Sequence, residues 1–166
     1  TPHGTVDNVM QVHSLRPHSM TGHVALYKAV LHHPDNALPK WFLEAIGVYT
    51  SYLNNCPYSL AHHEHNARVL LGGGDKGEAR LTALRDREPE REFSGKYLAL
   101  LQYVERLTID VTNMNEGDVV ACREAGADDA EILETNQVCG YFNYVNRLLN
   151  GLGVTTDGDV IGRYTE

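Results

Sequence analysis

The chain has 166 residues, with 22 acidic against 14 basic side chains and a net charge of −8, which argues against a nucleic-acid surface or an anionic membrane as partner. Apolar residues make up 42% and charged residues 22%, the balance of an ordinary globular chain long enough to bury a core as one domain, 1–166. No apolar run approaches the ~20 residues that span a bilayer, and no signal-peptide pattern opens the chain.

In chain order, residues 1–17 read as an extended arm with one helical turn around Asn8 to Ser14. A helix is predicted from near Ser19, with Val24, Tyr27, Ala29 and Val30 on one side, ending before Pro34. Pro34 to Pro39 is turn chemistry. From Lys40 the apolar positions Trp41, Phe42, Ala45, Ile46, Val48, Tyr49, Tyr52 and Leu53 cover more than one face, as in a largely buried helix. Asn54-Asn55 closes it. Pro57 suits the first position of the next helix, which runs to Gly72-Gly73-Gly74. Residues 72–92 form a charged surface excursion with a short helix around Glu78 to Arg85. A regular helix follows from Ser94 to Ile109. Asn115 caps a short one ended by Gly126, and Asp128 with Glu131 forms a capping box for a final helix closed by Gly151 and Gly153. Strand alternation is missing throughout, so the fold class is all-α.

One stretch gathers chemistry, EAIGVYTSYLNNCPYSLAHH from Glu44 to His63. Cys56, just before Pro57, takes the N-cap position, where the helix dipole favours thiolate over thiol. Ser59 and His63 follow at i+3 and i+7 on the same stripe. Glu44 stands about three turns back along the preceding helix. If those helices form an antiparallel hairpin, the carboxylate can orient the imidazole and raise its basicity. Each residue also has a plainer reading: Cys56 as a small buried residue, His63 as a structural histidine, Ser59 as bonded to its own backbone. Burial of Glu44 among Trp41, Phe42, Leu43 and Ile46 would be costly without a partner, which favours the pair. His62, His63, Glu64 and His65 form a cluster in which His62 and His65 share a face. It lacks the usual metal-site spacings, and the expectation is no metal and no cofactor. The remaining cysteines, Cys122 and Cys139, read as core, and three unpaired, widely spaced thiols suit a reducing cytoplasm.

The spacing Glu44, eleven residues, Cys56-x-x-Ser59, three residues, His63 resembles the alkylhydroperoxidase D (AhpD)-like and carboxymuconolactone decarboxylase superfamily, whose redox members carry a second cysteine where Ser59 stands. The segments Asn8–Tyr27 and Tyr141–Val154 resemble its peroxidase-related branch. The resemblance implies an AhpD-like helical domain with a central hairpin carrying the motif, and a homo-oligomer (dimer, trimer or hexamer) with its cleft near a subunit interface. It implies peroxidase-like chemistry on a hydroperoxide, with Glu44, Cys56, Ser59 and His63 as catalytic residues. Tyr58, His62 and Asn143 would touch the small-molecule substrate. A hydroxyl cannot form a disulfide with Cys56, so dithiol cycling within the motif is closed, and Cys56 oxidation would need an outside thiol reductant. Two further classes stay open. One is a lyase or isomerase of the decarboxylase kind, using Glu44 and His63 for proton transfer on a small acid. The other is a non-catalytic oligomeric binding protein.

Overall fold

The computed structural model describes residues 6–161. Eight α-helices follow one another: α1 (Asn8–Gln11), α2 (Pro17–His32), α3 (Lys40–Leu53), α4 (Pro57–Leu70), α5 (Gly74–Arg85), α6 (Gly95–Ile109), α7 (Glu116–Glu124) and α8 (Asp129–Leu152). Single helical turns stand at Pro89–Arg91 and Val111–Asn113, and there is no strand among the described residues. The expected all-α class is what the chain adopts.

The helix at the centre is α3. Eleven of its fourteen residues are buried, and it packs against α4, α8 and α6. Polar residues inside this core bond their own helix, as Thr50 does to the Ile46 carbonyl and Ser51 to that of Gly47, both at 2.8 Å. Gly47 sets how closely α8 approaches: a Cβ there would stand 2.3 Å from Cε2 of the buried Phe142. The chain reverses between α3 and α4 through Asn55, whose φ of 48° is left-handed, a conformation asparagine tolerates better than most residues. Asn150 on α8 fastens that turn by donating to the carbonyls of Asn54 (3.2 Å) and Asn55 (3.3 Å). The hairpin carrying the motif is thereby pinned against the longest helix.

Local signals account for the helix ends. Pro57 opens α4 behind an extended Cys56, and both expected caps are present, with Asn115 paired to Asp118 and Asp128 to Glu131. Gly153 closes α8 in the left-handed region. The second helix begins at Pro17 rather than Ser19, because proline is favoured in the first turn.

The stretch 72–92 departs from expectation. It is no surface excursion: α5 starts at Gly74 and buries Gly77, Leu81, Ala83 and Leu84. Its charges occupy the outer face, and the inner one lies on α4 so closely that a Cβ at Gly77 would meet the Arg68 carbonyl at 2.3 Å. No helix among the described residues is long and apolar enough to cross a membrane.

Candidate active site

The α3–α4 hairpin brings Glu44 and His63 together. Their side chains meet at 3.1 Å, Nδ1 to Oε2, with the carboxylate 2% and the imidazole 14% exposed. Burial pushes the Glu44 carboxyl up, but the imidazole beside it, with His32 and Lys40 further off, outweighs burial and holds it below its ordinary value. The ionised carboxylate fixes the tautomer: Nδ1–H of His63 donates to Glu44, and Nε2 keeps its lone pair. Phe142 meets the ring edge-on at 5.1 Å between centroids, so the imidazole is held from two sides.

His63 lines a cavity of about 70 Å³ whose other walls include Ser59, Tyr58, His62, Tyr27, Tyr141 and His23, with Val145 and Leu149 among its apolar residues. That volume suits a molecule of a few heavy atoms. Its lining contains neither lysine nor arginine. Two carboxylates stand behind the wall, Glu44 behind His63 and Asp159 behind Tyr58 and His62. An anion placed there would meet negative charge and no cation.

Ser59 is 3% exposed and accepts a 2.9 Å bond from Nδ2 of Asn146 on α8. Asn146 is itself oriented by Asn54, whose amide donates to its Oδ1 at 3.1 Å. Cys56 occupies the N-cap, but the residue is completely buried and is absent from the cavity wall. Cys122 and Cys139 are buried as well. Burial raises the Cys122 thiol to about 11 and the Cys139 thiol above its usual value.

Of the expected substrate contacts, Tyr58 and His62 line the cavity and Asn143 does not. Asn143 donates to Thr108 at 3.2 Å and to the Cys139 carbonyl at 3.1 Å, and its Oδ1 accepts from Asn54. Asn146, one helical turn further along α8, is the residue that bonds Ser59, and it too is absent from the cavity lining. The histidine cluster divides too: His62 is buried against Asp159, whereas His65 is exposed. The described residues contain no group of three or more candidate metal ligands.

Residues far from the motif complete the site. Asp159, beyond the end of α8, takes a hydrogen bond from the Tyr58 hydroxyl, lies 3.2 Å from Nε2 of His62, and accepts from the Asn8 backbone N–H at 2.9 Å. The Tyr58 hydroxyl in turn accepts from the Val9 N–H at 3.0 Å. Burial and the Asp159 bond raise the Tyr58 phenol, while burial lowers His62 against the pull of that carboxylate. Burial, with Glu44 nearby, raises Tyr27. Also lining the cavity, His23 and Tyr141 face each other at 3.0 Å. The unusual number of histidines ahead of α3 was the signal for this wall.

No protein-family model matches the chain, and no curated protein matches it. Solved structures do. An uncharacterized peroxidase-related protein from Silicibacter sp. TM1040 superposes with a TM-score of 0.82 at 23% identity, over 96% of this chain and 81% of that one. A second, from Ralstonia eutropha JMP134 and described as an alkylhydroperoxidase AhpD core, gives 0.80 at 24% identity, over 98% and 84%. The fold is AhpD-like. The same AhpD-like fold extends to the debrominase Bmp8, solved in complex with 2,3,4-tribromopyrrole, at a TM-score of 0.73 and 13% identity over 93% and 79%. Proteins bearing different names thus share the scaffold, and chemistry has to be argued from the side chains.

Proposed function

We propose that this protein is a small-molecule enzyme that removes a proton from an uncharged substrate, with His63 as general base and Glu44 holding it. One observation carries the reading: the cavity is walled by a carboxylate-held imidazole and a serine, and by no thiol. Glu44 keeps Nδ1 of His63 occupied, so Nε2 takes the proton, and the ionised carboxylate stabilises the imidazolium that results. Ser59, its oxygen engaged by Asn146, keeps a hydroxyl proton to donate to a substrate oxygen as charge develops there. The aromatic and aliphatic side chains of the wall lower the local dielectric, which strengthens these interactions. The lack of a cation, with Glu44 and Asp159 behind the wall, favours a neutral ketone, lactone or N–H acid over a carboxylate.

The test is deuterium exchange. Small ketones, lactones and N-heterocycles are incubated with the protein in D₂O, and loss of the acidic C–H or ring signal is followed by proton NMR. Exchange above background is expected for some uncharged member, lost in His63→Ala and strongly reduced in Glu44→Gln. If neither substitution slows any observed exchange, the base is elsewhere.

A second reading, reduction of a hydroperoxide, is favoured by the peroxidase-related names of two fold neighbours. It requires Cys56 to become accessible, together with an outside thiol reductant, because Ser59 leaves no partner for an internal disulfide. Preferential oxidation of Cys56 by hydrogen peroxide, located by mass spectrometry, would support it. Homo-oligomer formation is proposed on the resemblance alone.

A further inference from the structure

The cavity has a second polar wall that the Glu44–His63 pair does not use. From it, Tyr141, His23, His13 and Ser19 form a continuous row: Tyr141 Oη to His23 Nε2 at 3.0 Å, His23 Nδ1 to His13 Nε2 at 3.1 Å, and His13 Nδ1 to Ser19 Oγ at 2.9 Å. Both histidines are buried, His13 at 5% and His23 at 3% exposure. The inner end opens on the cavity, where Tyr141 and His23 are lining residues. His13, the outer ring of the row, lines a neighbouring surface groove together with Pro17 and Met20, and Ser19 beside it is half-buried. Two depressions are thus joined by a pair of imidazoles.

The row has a direction. The Ser19 hydroxyl donates to the Arg16 carbonyl at 2.7 Å, so Ser19 Oγ accepts from Nδ1–H of His13. With the proton of His13 on Nδ1, its Nε2 is the acceptor, His23 donates from Nδ1, and His23 Nε2 accepts from Tyr141. Burial and the neighbouring His13 hold His23 down at about 4, which keeps it neutral near pH 7. Every O–H and N–H therefore points outward from the cavity.

We propose that Tyr141 is a second catalytic residue and that His23, His13 and Ser19 form a proton conduit between the cavity and solvent. The inference rests on the cavity being a proton-transfer site and names its route to solvent. In the outward step a second acidic group of the substrate, X–H, distinct from the bond whose proton His63 takes, gives its proton to Tyr141 Oη, whose own proton passes to His23 Nε2. The Nδ1 proton of His23 passes to His13 Nε2, that of His13 passes to Ser19 Oγ, and the serine hydroxyl, half-buried, turns from the Arg16 carbonyl to release its own proton to solvent. One proton enters and one leaves; the substrate remains as its conjugate base, and no charge stays on the row. Both rings end as Nε2–H tautomers, poised for the inward step that returns a proton to the product and restores the start. A reaction that withdraws a proton at one stage and replaces it at another closes this cycle.

Two measurements decide it. In nitrogen-15-labelled protein near neutral pH, long-range proton–nitrogen spectra are expected to show His13 and His23 as Nδ1–H tautomers. An Nε2–H tautomer on either ring overturns the conduit whether or not the cavity turns anything over. In the deuterium-exchange reaction, Tyr141→Phe is expected to lower kcat by about 10²–10⁴ with KM nearly unchanged. His13→Gln is expected to lower kcat and to be restored by imidazole in the buffer, a rescue that lost packing would not show. Wild-type rates in Tyr141→Phe and His13→Gln, with His63→Ala inactive, overturn the conduit and leave the His63 reading standing. Wild-type rates in all three overturn both.

Discussion

Replacing Gly47 by alanine opposes two effects of known size. Helix propensity favours alanine over glycine by about 1 kcal/mol in a helix interior, so α3 alone would gain. The tertiary structure says otherwise. The new Cβ would lie 2.3 Å from Cε2 and 2.4 Å from Cζ of Phe142, whereas carbons rest about 3.5–4.0 Å apart, so ring or helix must give by roughly 1 Å. Phe142 is fully buried, with Tyr141 edge-on at 5.3 Å and His63 at 5.1 Å between centroids. Overpacking of this kind costs about 3 kcal/mol at the upper end of the usual range. Subtracting the propensity gain leaves a net loss of about 2 kcal/mol, or about 4–8 °C in Tm for a chain of this size. Urea unfolding followed by circular dichroism measures it. Phe142→Leu deletes the two nearest atoms and leaves only a Cδ near the 3.0 Å position of Phe142 Cδ2, so in that background Gly47→Ala should cost much less than in wild type. A rise in the unfolding midpoint for Gly47→Ala in the wild-type background would refute the close α3–α8 approach.

Glu44→Gln tests the buried pair by pH. A carboxylate held below its unfolded value of 4.5 adds stability that is present above that value and lost as pH falls through the lower folded value. The stability difference between wild type and Glu44→Gln, measured by urea titration, should be constant above about pH 5 and shrink toward pH 3; a difference that grows on acidification contradicts it. Ser59→Cys places a thiol on the cavity wall beside His63. One additional cysteine should react with a thiol reagent in the native protein, and hydroperoxide consumption with a dithiol reductant should appear. Consumption unchanged from wild type means the missing sulfur is not what separates this site from peroxidase chemistry. Asp159→Ala removes the acceptor shared by Tyr58, His62 and the Asn8 N–H, at about 1–3 kcal/mol for each buried donor left unpaired. The segment 155–161 should then be cleaved faster in limited proteolysis, with His62 titrating lower still; equal cleavage rates would show that Asp159 does not hold the tail.

Much of the architecture was readable because helix ends are written locally. Pro57 behind Cys56, the pairs Asn115–Asp118 and Asp128–Glu131, and Gly153 after α8 each act within a few residues. The spacing of Glu44 and His63 was readable for a similar reason: one tight turn joins the two helices, and their faces follow from helical geometry. Composition misled at α5, where outer charges outweighed a narrow apolar face, and the cap position of Cys56 said nothing of its burial.

What the amino-acid order determined by itself is the helical class, the helix ends marked by a cap, a proline or a glycine, and the facing of one carboxylate toward one imidazole, because those depend on contacts along the chain or across a single turn. Which residues form the cavity was decided only in three dimensions. His62 and Asp159 are 97 residues apart, His23 and Tyr141 118, and Asn8 and Asp159 151, distances over which no periodicity carries information. Their meeting follows from the packing of α2, α4 and α8 around α3, and a hydrogen bond between such partners exists only once that packing has brought them within reach.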